Sequence, residues 1–269
     1  MNSLNLESDS TGTILTLSLN KPESLNALDD EVIDELSQVL ANLSTNRETR
    51  AIVLTGVGRG FCSGLNLASF GGSLAKDDSR GRVQAGMYFQ KRLAEIVLAM
   101  RRLPIPIVGA INGPATGGGL ALALACDTRV CSIKARFSAA FVKLGVSGCD
   151  MGVSYLLPRI VGPTLAFEMM LTGRIIDAAE AERSRLVLRC TSQDDLLGEA
   201  NGVATQIASN SPFGVWMTKE VLWSNLDATS LSGAIDLENR TQILALQTSD
   251  SKEAASAFIH KRPAEYKNT

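Results

Sequence analysis

The amino-acid sequence predicts an α/β fold with a helical C-terminal part. Three observations carry this. Strand-like apolar runs alternate with helix-periodic ones up to about Ser132, the pattern of a parallel sheet with crossover helices. After about Met151 nearly every segment has helical period. The longest uncharged run, Leu103 to Cys126, is broken by Pro104, Pro106, Asn112, Pro114 and the glycines 117, 118 and 119. It therefore reads as two short buried elements joined by a turn, not as a membrane span.

The elements follow in order. Thr13–Asn20 alternates and is β-branched, a strand. Asp29 or Asp30 then caps a helix to about Leu43, with Val32, Ile33, Leu36, Val39 and Leu40 on one face. Arg50–Gly56 is a buried strand, followed by the glycine-rich loop Gly58–Leu67 and a polar stretch through Arg82. A helix spans about Val83 to Arg102. Ile105–Asn112 is a third strand, leading through a glycine turn into a short helix ending at Ala125, and Asp127–Ser132 is a fourth strand. Helical segments lie near 151–160, 163–171, 177–184, 193–209, 212–224, 230–247 and 250–260. Residues 1–200 are expected to form the core domain and 201–269 a helical region for oligomerisation and pocket closure.

Composition narrows the function. The chain has 269 residues, 45% of them hydrophobic, and a net charge of −2, so no basic stripe points to nucleic acid. Five cysteines without a CxxC read as thiols of a reducing compartment. His260 is the single histidine. It excludes a His-rich metal site and is the only residue a Ser-His-Asp triad would have to use. The N-terminus lacks the basic start and apolar core of a signal peptide, and a cytoplasmic location is expected.

Two glycine loops stand out, Gly58–Leu67 and Asn112–Leu122. Each follows an apolar strand. On spacing alone they are either connectors or sites where two backbone N–H groups meet one oxygen, as in an oxyanion hole. Neither matches a dinucleotide fingerprint, and GFCSG is not the GxSxG elbow of a hydrolase.

The residues then reach a family. LNKPESLNALDDEV, VLTGVGRGFCSGLNL, PIVGAINGPATGGGLALALACD, GVSYLLPRIVG, LTGRIIDAAEAERSRLV and AFIHKRPAEYK, in that order, resemble the crotonase superfamily of enoyl-CoA hydratases and isomerases over nearly the whole chain. The resemblance implies a crotonase-type β/α spiral, an acyl-CoA thioester as substrate with coenzyme A as part of it, and a trimer or dimer of trimers. It implies thioester-oxygen donors at the N–H groups of Leu65 and Gly118. It places Ser24, Ala27, Ser63, Asn66 and Leu67 along the coenzyme A. Lys261 stands where a basic residue meets a CoA phosphate, or is an ordinary solvated charge. Phe141 and Phe258 are candidates to narrow the acyl pocket.

The sequence departs from the hydratases at both of their glutamates, which fall here on Ala121 and Phe141. Between Glu95 and Glu168 the acids are Asp127 and Asp150. Asp127 is expected to cap a helix or pair with Arg129. Asp150 aligns with an aspartate of several isomerases of the family, or is a helix N-cap. One acid suits double-bond isomerisation better than hydration. The alternative is an acyl-CoA-binding protein that has lost its chemistry.

Overall fold

The computed structural model describes residues 3–68 and 81–269. Strand β1 (Leu4–Ser8) pairs antiparallel with β2 (Ile14–Leu19). Helix α1 (Asp30–Leu43) buries Val32, Ile33, Leu36, Leu40 and Leu43, and Asp29 is the cap, its carboxylate accepting the Val32 N–H. Strand β3 (Ala51–Gly56) is buried throughout. Helix α2 (Gly81–Arg102), β4 (Ile107–Ile111), β5 (Pro114–Thr116), α3 (Gly118–Ala125), β6 (Thr128–Ser132) and β7 (Arg136–Ser138) follow, then a 3₁₀ turn over Ala140–Leu144. The rest comprises α4 (Val153–Val161), α5 (Pro163–Thr172), β8 (Ile176–Asp177), α6 (Ala178–Arg183), β9 (Arg189–Thr191), α7 (Leu196–Ala208), α8 (Pro212–Asn225), α9 (Leu231–Leu246) and α10 (Ser249–Ile259).

The main sheet has the order β1-β2-β3-β4-β6-β9 and is parallel apart from β1. A second sheet, β5-β7-β8, is laid down between visits to the first. The α/β core with later helices is therefore as expected, and most boundaries agree to within two or three residues. Strands β1, β5, β7, β8 and β9 were not expected. They are two to five residues long, too short for a period to show, and each is defined by its partner strand.

Two layers cover the main sheet. Most of the core lies between one face and helices α1 to α3. On the other face α7 packs Leu196, Ala200, Ala204 and Ala208 against Ile14, Val53, Val108, Ala110 and Val130. The sheet layer thus runs to Ala208, and the expected boundary at 200 falls inside a helix. Small residues at four-residue spacing let that helix lie close on the strands.

Asp127 and Lys219 join α8 to the core. The Lys219 ammonium, 6% exposed, lies 2.9 Å from the Asp127 carboxylate and donates to the carbonyls of Met100 and Ile105. Asp127 also accepts the Ile107 N–H and the Trp223 indole N–H, and Arg101 stacks on Trp223. This corrects the expected Arg129 partner: the Arg129 guanidinium donates to the carbonyls of Leu186, Ala123 and Cys126. Burial lowers the Lys219 pKa below the usual lysine value, and Asp127 opposes it.

A cleft of about 1280 Å³ opens beside this pair between α8 and α9, lined by Val215, Lys219, Trp223, Asn239 and Gln242. Pro106 and Asp127, which precede β4 and β6, also line it. It therefore lies at the opposite strand ends from the glycine loops.

Removing Asp127 leaves a buried ammonium without its counter-charge. Asp127→Ala is expected to cost about 3–5 kcal/mol in urea unfolding. The double variant Asp127→Leu/Lys219→Met is expected to lose less than Asp127→Ala. A loss under about 1 kcal/mol for the single change would remove the pair from the fold's supports.

Candidate active site

The two glycine loops are laced together. The Phe61 and Cys62 N–H groups donate to the Pro114 carbonyl at 3.2 and 3.0 Å, and the Thr116 N–H donates to the Cys62 carbonyl at 3.0 Å. Cys62 and Ala115 form an isolated parallel bridge. Two buried asparagines fix the first loop. Asn112 donates to the carbonyls of Gly56, Gly58 and Gly60, and Asn26 to those of Val57 and Gly60.

This lacing brings Gly64 of the first loop close to Gly118 of the second. The Gly64 carbonyl accepts the Leu28 N–H at 2.7 Å. Across a trans peptide the Leu65 N–H points the other way, away from Leu28. Gly64 has φ +95°, and a Cβ there would lie 2.7 Å from the Thr116 oxygen and 3.3 Å from the Gly118 nitrogen. Gly118 opens α3, so its N–H has no acceptor within the helix. Among the described residues, neither the Leu65 nor the Gly118 N–H donates to a protein acceptor.

The triplet has separate reasons for its members. Gly117 turns the chain at φ +53°, a positive-φ conformation that favours glycine. Gly119 passes so close to the first loop that a Cβ would stand 1.9 Å from the Cys62 carbonyl oxygen.

Around these donors the surface is apolar. The Phe141 ring would meet a Cβ at Gly117 at 3.5 Å, and the Met151 sulfur would meet one at Gly118 at 3.2 Å. Ala121, fully buried, lies one turn into α3. Neither Ala121 nor Phe141 moves protons. Burial pushes the Cys62 thiol up to about 12, so it is no nucleophile at neutral pH.

Asp150 directly precedes Met151, whose φ is +46°. It is not a helix cap: Gly152 holds the N-cap position of α4 and caps through no side chain. Its Oδ1 instead accepts the Met151 N–H at 2.7 Å and the Gln90 side-chain amide of α2. Burial raises the Asp150 pKa above the ordinary carboxylate value, against these two hydrogen bonds. Met151, Gln90, Asn26 and Asn112 escaped the sequence reading. Gln90 is an ordinary polar residue in a helical run, and only the packing of α2 shows its partner.

Of the residues expected along coenzyme A, Ser24, Ala27, Ser63, Asn66 and Leu67 come together. Ser63 Oγ donates to the Ser24 carbonyl and its N–H to the Leu25 carbonyl. The Ala27 N–H reaches Ser24 Oγ, and the Asn66 N–H donates to the Leu28 carbonyl. Leu67 is exposed. Phe258 and Lys261 lie on and just past α10, near the C-terminus. Phe258, on α10, is 86% exposed. Lys261 is exposed just past α10, and the tail beyond it runs to Arg50, before β3, where Tyr266 accepts from the guanidinium. That is the far end of β3 from the loops.

Comparison with known proteins shows the family. Residues 9–269 match the family model described as enoyl-CoA hydratase/isomerase. A probable enoyl-CoA hydratase of Mycobacterium leprae is 41% identical, over 93% of this chain and 85% of its own. The crystal structure of a probable enoyl-CoA hydratase/isomerase from Mycobacterium abscessus superposes with a TM-score of 0.90 at 38% identity, covering 99% of both chains. That of a monofunctional enoyl CoA isomerase from M. smegmatis gives 0.74 at 39% identity, covering 87% of this chain and 99% of its own. The chain belongs to the enoyl-CoA hydratase/isomerase family, and its fold is the crotonase-type spiral.

The lacing makes Gly119 and Gly198 opposites. A methyl group at 119 collides with the Cys62 carbonyl, whereas one at 198, within α7, meets nothing within 4 Å. Gly119→Ala is expected to cost about 1–3 kcal/mol or more, and Gly198→Ala to gain roughly 0.5–1 kcal/mol. Thermal unfolding measures both. A Gly119→Ala variant as stable as the wild type would contradict the close approach of the loops.

Proposed function

We propose that this member of the enoyl-CoA hydratase/isomerase family moves the double bond of an enoyl-CoA thioester, with Asp150 as its single acid–base group. The observation that carries the reading concerns the two acids between Glu95 and Glu168. Asp127 is held in an ion pair at the far end of the sheet. Asp150 stands beside Met151, whose sulfur covers Gly118. The M. smegmatis isomerase of similar fold and 39% identity also supports it.

In this reading the thioester oxygen accepts from the Leu65 and Gly118 N–H groups. The Asp150 carboxylate takes a proton from the α carbon of a 3-enoyl thioester. The electron pair moves onto the thioester oxygen as a dienolate, where each backbone donor is worth roughly 3–4 kcal/mol. Asp150 then returns the proton to the γ carbon, and the double bond is left between α and β. One group suffices because the proton leaves and returns at carbons two bonds apart. Syn addition of water calls for two groups, and Ala121 and Phe141 supply neither. Coenzyme A is part of the substrate, along Ser24, Ala27, Ser63, Asn66 and Leu67.

The absence of both hydratase glutamates also favours a second reading, an acyl-CoA-binding protein without turnover. Asp150 is what separates the two. Asp150→Asn keeps the shape but accepts no proton, and isomerase rate on a 3-enoyl-CoA is expected to fall about 10²–10⁴-fold, with CoA affinity little changed. Full rate in Asp150→Asn would refute the shuttle, and binding without turnover by the wild type would establish the second reading.

A trimer or dimer of trimers is part of the same proposal. Helix α9 buries none of its residues in the isolated chain and leaves Leu231, Ile235, Ile243 and Leu244 exposed. Such a face on a protein helix calls for a cover. Light scattering is expected to return a multiple of 28.6 kDa; a monomer at micromolar concentration would count against it.

A further inference from the structure

We propose that Gln90 is a positioning residue for Asp150, holding one carboxylate oxygen so that the other alone carries the proton; this rests on the reading of Asp150 as the acid–base group. The two carboxylate oxygens are not equivalent. Oδ1 accepts both the Met151 N–H and the Gln90 amide. Among the described residues, Oδ2 accepts no hydrogen bond. The two donors come from different elements, one from the loop before α4 and one from α2, 60 residues away in sequence. Together they fix the carboxylate plane, which a single backbone contact to the adjacent residue does not. A carboxylate that both removes and returns a proton within one turnover has to present the same oxygen twice.

Among the described residues, the charged and titratable groups around Asp150 leave this role to Gln90. Helix α3 brings none. On α2, Tyr88 and Lys91 are exposed, and Arg92 is engaged by Asp30 and Asp34. On α4, Arg159 stacks over Tyr155 and pairs with Asp227. Lys143 of the 3₁₀ turn packs against Gly173, and Cys149 is exposed. The influences on the Asp150 proton are burial, the Met151 N–H and the Gln90 amide.

A donor to the carboxylate favours its charged form, so removing it moves the acid limb of the rate profile upward in pH. The test is the pH dependence of kcat/KM on a 3-enoyl-CoA for the wild type, Gln90→Leu and Gln90→Glu. Gln90→Leu is expected to raise the midpoint and to lower the acid-limb rate several-fold to about tenfold, as expected for one hydrogen bond to a charged group. Gln90→Glu is expected to raise the midpoint further, because a second carboxylate beside Asp150 shares its proton. A packing role predicts the reverse order, since glutamate has the shape of glutamine and leucine does not. Position 90 is exposed on α2, so all three chains are expected to fold, which circular dichroism checks. Carbon-13 titration of the Asp150 carboxyl reads the same midpoint without turnover. Midpoints unchanged in both variants, or Glu nearer than Leu to the wild type, overturn the inference. If Asp150→Asn keeps full rate, the reading of Asp150 fails and the inference with it; if it is inactive while the Gln90 midpoints stay fixed, only the inference fails.

Discussion

The hydrogen bonds that join Cys62 to Pro114 and Thr116 are the constraint on which the rest of the site depends. They hold two loops from different strands at backbone contact, nearer than any side chain allows at Gly119. With the loops laced, the Gly64 peptide has its carbonyl taken by Leu28, and Gly64 lies against Gly118 at the start of α3. Neither the Leu65 nor the Gly118 N–H needs a side chain, so the arrangement depends on backbone path alone. Asn26 and Asn112 secure that path by occupying the carbonyls of the first loop, which would otherwise be buried without partners.

In the proposed reading, the chemistry depends on what faces the Leu65 and Gly118 N–H groups. Phe141, Met151 and Ala121 make the walls apolar, which strengthens any charge interaction within them. Asp150 stands at their edge, held by a backbone N–H and by Gln90. Burial and hydrogen bonding act on it in opposite directions, and burial prevails. A carboxyl whose pKa lies above its ordinary value is a stronger base when ionised, which favours taking a proton from carbon.

The far end of the sheet is built on a different principle. There Lys219 and Asp127 satisfy each other and four further groups, Met100, Ile105, Ile107 and Trp223. The pair ties α8 to the strands, while α9 beyond it keeps its apolar residues exposed within the chain. The two acids of the central segment thus have unrelated partners, although in sequence they differ by little more than their neighbours.

The sequence by itself determined the strand and helix alternation, the helix capped by Asp29 or Asp30, the buried run around the triplet and the two loops. These are set by local periodicity, capping and glycine spacing, and the order of motifs was enough to show the family. It also showed that Ala121 and Phe141 replace two acids. Tertiary structure alone decided the short strands β5, β7, β8 and β9, whose residues are extended because a neighbour pairs with them. It decided that Asp127 meets Lys219 and not Arg129, because α8 delivers a lysine from 92 residues away while Arg129 is taken up by carbonyls. It decided too that Gln90 reaches Asp150 and that Phe258 stands exposed on α10 within one chain. Such contacts join residues far apart in the chain, and no local pattern encodes which surfaces meet once the helices pack on the sheet.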